Sequence, residues 1–204
     1  MVLHRGTHKH SLSIEKHLIE KGFESVTIGA VEKHITETAF DNGWVKPIVP
    51  KIEKEYSVGI IGSGPAGLAA ADLLRRKGYQ VIVYDRYDRV GGLLIYGIPG
   101  FKLEKEIVTR RHELLEQGGI QFQLECEIGR DISFTDLREK HDAVLIATGV
   151  YKARDIDLVG SELKGVVPAL DYLIASNRKS LGDDVPSFNE GTLNAASKNV
   201  VVVG

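Results

Sequence analysis

Gly62, Gly64 and Gly67 form a G-x-G-x-x-G pattern, Pro65 follows the second of them, and Asp85 closes the next apolar run. Glycine at the first position permits a tight turn. At the second it lets the backbone approach a diphosphate with no Cβ in the way, and at the third it lets a helix lie close on a strand. Pro65 costs nothing at a helix start, where its missing N–H would have no partner within the helix. The free N–H groups and the positive end of the helix dipole then favour a diphosphate. Asp85 lies about 20 residues further on, where an acid binds a ribose hydroxyl. An acid there disfavours a 2′-phosphate, so the pattern suits FAD or NAD better than NADP.

Further residues could carry chemistry. Gly91 and Gly92 form a second glycine turn behind Asp85, and Gly97, Pro99 and Gly100 make an irregular stretch. Such backbone is expensive to bury unless its polar groups find partners, so it is either a surface loop or one wall of a flavin site. Thr148 and Gly149 end an apolar run, at the carboxyl end of a strand, where parallel sheets bind ligands or simply turn. Cys126 is the only cysteine, so there is no disulfide framework and no thiolate set for zinc or iron–sulfur in this chain. Alternation places Cys126 on an apolar face and predicts a buried, inert thiol. His4, His8, His10 and His17 have no Cys, Asp or Glu among them at ligand spacing and read as a solvated leader rather than a metal site.

These residues need elements to hold them. Apolar residues 58–61, the glycines, an Ala/Leu-rich stretch ending at Gly78 and β-branched residues 81–84 predict strand, helix and parallel strand. Upstream, a short helix is predicted over 12–21. Another runs from about 26 to Gly43, capped by Thr27, with Ile28, Val31, Ile35 and Ala39 on a face that packs. Pro47 and Pro50 mark a linker. Downstream, residues 102–117 predict a surface helix with Ile107, Leu114 and Leu115 inward, 119–129 a strand, 134–141 a short helix and 143–147 a strand. Residues 168–176 predict a helix, 177–196 a polar loop, and 199–204 a new buried strand.

With 204 residues the chain can bury a good core, and 26 basic against 28 acidic residues leave no charge excess pointing to nucleic acid or an anionic membrane. No apolar run approaches a membrane span and no signal-type segment opens the chain, which predicts a cytoplasmic protein.

Beyond the glycine loop, the stretches VTIGAVEKHI, GGLLIYGIPGFKLEK and ATGVYKARDI are far more specific, and from about residue 26 to 204 the chain resembles the small (beta) subunit of bacterial NADPH-dependent glutamate synthase. That family lies within a wider group of FAD/NAD(P)-dependent, pyridine nucleotide-disulfide-type oxidoreductases. The resemblance implies an α/β fold: a Rossmann-like FAD-binding domain with a parallel sheet, preceded by a short helical segment. It implies that NADPH reduces FAD and that electrons pass through 4Fe-4S clusters to a large subunit where glutamate is made. By position, Gly62, Ser63, Gly64, Pro65, Ala66 and Gly67 would hold the FAD pyrophosphate, and Asp85, with Arg86 beside it, the adenine-side ribose. Gly92 and Leu93, with Tyr96, Gly97, Ile98 and Pro99, would line the flavin side, and Ala147, Thr148 and Gly149 would close over the cofactor. Lys102 stays outside this set.

The family's cluster-ligating cysteines are absent. The expected domains are therefore 1–50, a helical segment and linker left from an iron–sulfur domain; 51–198, a partial FAD-binding domain; and 199–204, the first strand of a truncated NADPH-binding domain. On that reading the chain alone does not complete NADPH oxidation and needs the missing domain as partner. Two other readings stand beside it: a subunit of a ferredoxin:NADP or sulfide-type oxidoreductase or a dihydropyrimidine dehydrogenase relative, and a non-catalytic nucleotide-binding fragment.

Overall fold

A computed structural model describes residues 27–152 and 159–203. The expectations for the histidine-bearing leader and the helix over 12–21 fall outside these residues. The chain divides into two units between Pro47 and Ile48.

In the first unit, helix α1 (Ile28–Asp41) follows Thr27, which occupies the cap position without a side-chain bond to the helix. Gly43 closes it as expected, its N–H donating to Phe40 O (2.8 Å) while Trp44 N–H donates to Ala39 O (2.9 Å). Ile28, Val31 and Ile35 share a face at helical spacing, yet all three are exposed.

The second unit opens with the predicted βαβ. Strand β1 (Ser57–Ile61), helix α2 (Pro65–Arg76) and strand β2 (Gln80–Tyr84) follow in turn, and β1 pairs with β2 in parallel from Ser57↔Gln80 to Ile61↔Tyr84. Next come a one-turn helix α3 (Leu93–Tyr96), α4 (Lys105–Gln117), β3 (Gln121–Gln123), α5 (Phe134–Lys140), β4 (Ala143–Ile146), α6 (Ala169–Ser180) and α7 (Pro186–Asn189). The sheet is parallel, in the order β3-β2-β1-β4. Strand order reverses at β1, which has β2 on one side and β4 on the other, and in such sheets the crevice beyond the carboxyl ends at the reversal takes the ligand.

Ile60, Val81 and Val83 of the sheet pack with Leu68 and Ala71 of α2 and with Leu115 and Ile120, forming the main core. Burying a side chain of this size stabilises the fold by roughly 1.5–3 kcal/mol. Ile95, Tyr96 and Val108 form a separate cluster beneath α3.

Three expectations are corrected. The strand over 119–129 is regular only at Gln121–Gln123: Glu125 adopts φ +53°, and beyond the ladder the contact with the chain leaving β2 continues as separate bonds from Glu125 N–H to Tyr87 O (3.0 Å) and from Cys126 N–H to Asp85 O (2.9 Å). The inward alternation nevertheless survives at buried Ile120 and Cys126. Residues 177–196 are not one loop. Helix α6 runs on to Ser180 because Asn177 is buried and donates to Tyr96 O and Leu173 O, both at 2.9 Å. The charges beyond it are structural too: Arg89 holds Asp183 at 2.6 and 2.8 Å, Arg178 meets Asp88 at 2.9 Å, and the Tyr96 hydroxyl donates to Asp88. Finally, residues 199–203 form no strand, and Val200, Val201, Val202 and Val203 are exposed, since no ladder partner lies beside them among the described residues.

Candidate functional site

The site is built where three separated segments meet beyond β1. Gly62 leaves the strand at φ +109°, and a Cβ on it would lie 2.5 Å from the carbonyl oxygen of Ala147, whose own N–H donates to Ile61 O at 2.8 Å. The first glycine is therefore required by the close approach of the chain leaving β4 as well as by the turn. A Cβ on Gly67 would overlap the Gly62 carbonyl oxygen, so the third glycine seats α2 against the loop. Gly64 differs: no atom lies within 4 Å of where its Cβ would be. The chain keeps this space open at the N-terminus of α2, where the first N–H groups lack acceptors within the helix and the dipole is positive.

Asp85 is buried and ties the loop to β2. One carboxylate oxygen accepts from Ser63 N–H (2.7 Å) and Ser63 Oγ–H (2.6 Å), the other from Tyr87 N–H (3.0 Å). A carboxylate has about four lone-pair sites, so capacity for a ligand hydroxyl remains. The second glycine turn docks on the first: Gly91 N–H donates to Ser63 O at 3.1 Å, and a Cβ on Gly92 would stand 2.9 Å from Gly64 Cα.

Between these segments lies a cavity of about 680 Å³. Of the residues the sequence singled out, Gly62, Gly64, Pro65, Ala66, Asp85, Arg86, Gly92, Leu93, Ala147, Thr148 and Gly149 line it. Ser63 and Gly67 are buried behind it and hold its wall. Tyr96, Gly97, Ile98 and Pro99 do not line it: Tyr96 is buried against α6, and Gly97 and Ile98 turn back to donate to Leu93 O, each at 2.9 Å. Burial and the Asp88 carboxylate push the Tyr96 phenol up to about 12. Lys102 is exposed.

Several lining residues were not among the expected set. Tyr87 and Tyr151 flank the Arg86 guanidinium, which sits 5.1 and 4.6 Å from their ring centres. Cys126, Glu127 and Ile128 add a further wall, and burial raises the pKa of the Cys126 thiol, as an inert thiol requires. Tyr87 stands two residues beyond the acid and Tyr151 two beyond Gly149. Closeness to those motifs was the one signal available for them.

Tyr84, which also lines the cavity, has its OH 2.9 Å from His141 Nε2, and His141 Nδ1 is 3.2 Å from Ser57 Oγ; Gly59 leaves room for the imidazole, since a Cβ there would meet its Cδ2 at 2.6 Å. Burial, and then Lys140, lower the pKa of His141, and burial lowers that of His112, whose Nε2 has no hydrogen-bond partner among the described residues. The fold thus favours neutral imidazoles. As pH falls below about 6.5 the unfolded chain takes up protons that the folded chain refuses, so stability present above that pH is lost downward through the lowered pKa values. Melting temperature should fall between pH 7 and pH 5, and fall less in His112→Leu. The lowered carboxylates Asp72 and Asp183 act only below about pH 4 and leave this window to the histidines. A flat profile from pH 7 to 5 would contradict this.

Among the described residues no helix is long and apolar enough to cross a membrane, and no group of three or more His, Cys, Asp or Glu side chains could hold a metal.

The family model for pyridine nucleotide-disulphide oxidoreductases matches residues 56–204. The chain is 62% identical over 180 residues to the glutamate synthase [NADPH] small chain of Azospirillum brasilense, covering 88% of this chain and 37% of that one. It is 45% identical over 187 residues to the glutamate synthase [NADPH] small chain of Halomonas elongata, covering 91% and 39%. It thus spans about two fifths of the length of these curated relatives. Among solved structures, Mycobacterium tuberculosis FprA in complex with NADPH superposes with a TM-score of 0.54 at 25% identity, over 59% of this chain and 28% of that one.

Proposed function

The chain belongs to the pyridine nucleotide-disulphide oxidoreductase family, and from that premise we propose that residues 51–198 are the FAD-binding part of a glutamate synthase small chain. In that reading the protein carries electrons from NADPH by way of FAD toward iron–sulfur clusters and a large subunit that makes glutamate, in the cytoplasm. Residues 1–50 are the segment that precedes the FAD-binding part. The observation that carries the reading is the meeting of the Gly62 loop, the Gly91–Gly92 turn and the Ala147 to Gly149 turn around one cavity, with the space before Gly64 left free. The names of the relatives favour it over the ferredoxin-linked, dihydropyrimidine dehydrogenase-like and non-catalytic readings.

FAD, when bound, supplies a carrier that accepts two electrons together and releases them one at a time. The residues of the chain do the binding and orienting. N–H groups at the start of α2 would hold the diphosphate, whose charge the helix dipole would offset, and Arg86 would stand beside Asp85 on the ribose side. Asp85, immobilised by Ser63 and Tyr87, presents its remaining lone pairs to a ribose. Gly92 and Leu93 would meet the flavin from their wall of the cavity, and Thr148 and Gly149 would close over the cofactor from the β4 side.

The test is selectivity between flavins. FMN lacks the second phosphate and the adenosine that the glycine loop and Asp85 are assigned to hold. FAD should bind about 100-fold tighter than FMN in an equilibrium titration, as expected when several charge-assisted hydrogen bonds are lost. Equal affinity for the two would refute the assignment.

A further inference from the structure

Lys105 stands against the turn that follows Gly92. It is the first residue of α4, a position where the helix dipole disfavours a cation, and it is only 9% exposed. Lysine is seldom so buried, because its ammonium loses hydration. Its Nζ donates to Leu94 O at 3.0 Å and to Ile98 O, and burial lowers its pKa. Both partners are neutral carbonyls, so the ammonium is held by dipoles and keeps its field.

These two carbonyls belong to the turn that carries Gly92 and Leu93 to the cavity. Helix α3 has four residues, far fewer than a helix needs for stability of its own. The turn is held from below by α4: Val108 packs under Gly91, where a Cβ would meet its Cγ1 at 2.6 Å, and Ile95 and Tyr96 cluster on Val108. Lys105 is one helical turn from Val108 on the same buried face and supplies the polar half of that support. Without it, two carbonyls of the turn would lose their buried donor.

We propose that Lys105 is a positioning residue of the cavity, holding the turn that presents Gly92 and Leu93 and placing a fixed positive charge behind that wall. The ligand part of this inference rests on the FAD reading. A cation behind the wall favours the addition of electrons to a group seated on it, so Lys105 governs both affinity and redox poise.

The test compares Lys105→Met, Lys105→Arg and Lys102→Met in the full chain, by FAD titration and by the midpoint potential of bound FAD. Lys102 is an exposed lysine three residues away and controls for net charge. Lys105→Met should bind FAD about tenfold more weakly, as for loss of a charge-assisted hydrogen bond, and shift the potential to a more negative value. Lys105→Arg should recover most of both, and Lys102→Met should match wild type. Wild-type behaviour of Lys105→Met, or an equal potential shift in Lys102→Met, overturns the proposal. If Lys105→Met does not fold, amine labelling of wild type decides: saturating FAD should slow modification of Lys105 severalfold and leave Lys102 unchanged, and no slowing at Lys105 overturns it. Failure of the FAD reading is distinct, because wild type itself would then show no FAD binding.

Discussion

Gly64→Val should leave the chain folded and unable to hold FAD. Gly64 caps α2 with φ −71° and ψ −178°, an extended conformation open to any L-residue, and no atom lies within 4 Å of its Cβ position. The added side chain therefore meets no protein neighbour at Cβ and projects into space reserved for the diphosphate. Far-ultraviolet circular dichroism and the melting temperature should match wild type, whereas FAD affinity should drop by more than about 100-fold because the N–H groups of α2 can no longer reach the phosphate oxygens. Undiminished FAD affinity would remove Gly64 from the site. Loss of fold would mean that the space is not free.

Gly67→Ala, three residues on, should have the opposite profile. Helix propensity alone favours alanine over glycine by about 1 kcal/mol. The new methyl, however, would overlap the carbonyl oxygen of Gly62 and stand 3.4 Å from Ile60 Cγ2, and a backbone oxygen cannot rotate away as a flexible side chain can. The helix must lift from the loop, which separates Leu68 and Ala71 from the main core. Overpacking of this kind costs about 3 kcal/mol or more, enough to outweigh the propensity gain. Urea titration should show a midpoint well below wild type. A midpoint at or above wild type would show that propensity wins and that the contact between Gly62 and Gly67 is loose.

The two substitutions also mark what could be read in the chain. A backbone that must turn with positive φ or pass close to another leaves glycine as its signature, which is why Gly62, Gly67 and Gly92 were legible, whereas Gly64, extended and with open space at its Cβ position, was marked only by its place in the G-x-G-x-x-G spacing. Asp85 was legible from its distance along a strand–helix–strand unit of regular length. Lys105 was not, because a charged residue in an amphipathic helix reads as solvated, and the two carbonyls that hold it lie on a separate turn. Nor was the Arg89–Asp183 and Arg178–Asp88 cluster, whose partners are about 90 residues apart, so that 177–196 read as a polar loop. Local pattern also overstated pairing: the apolar alternation around Phe122 outlasts the regular ladder, and Val200 to Val203 have strand composition without a paired edge among the described residues. The turn at 96–99, which the resemblance assigns to the flavin side, gives its Tyr96 carbonyl to Asn177 of α6 and its Ile98 carbonyl to Lys105 of α4, contacts with residues far along the chain that local pattern does not show.

The measurement that bears most directly on the central claim is the visible absorption spectrum of the purified chain after incubation with FAD, followed by release and chromatographic identification of the bound nucleotide. A flavin spectrum with FAD released near one per chain is the predicted result. A folded chain that retains no flavin at saturating FAD would contradict the assignment of the glycine loop, of Asp85 and of the cavity between them.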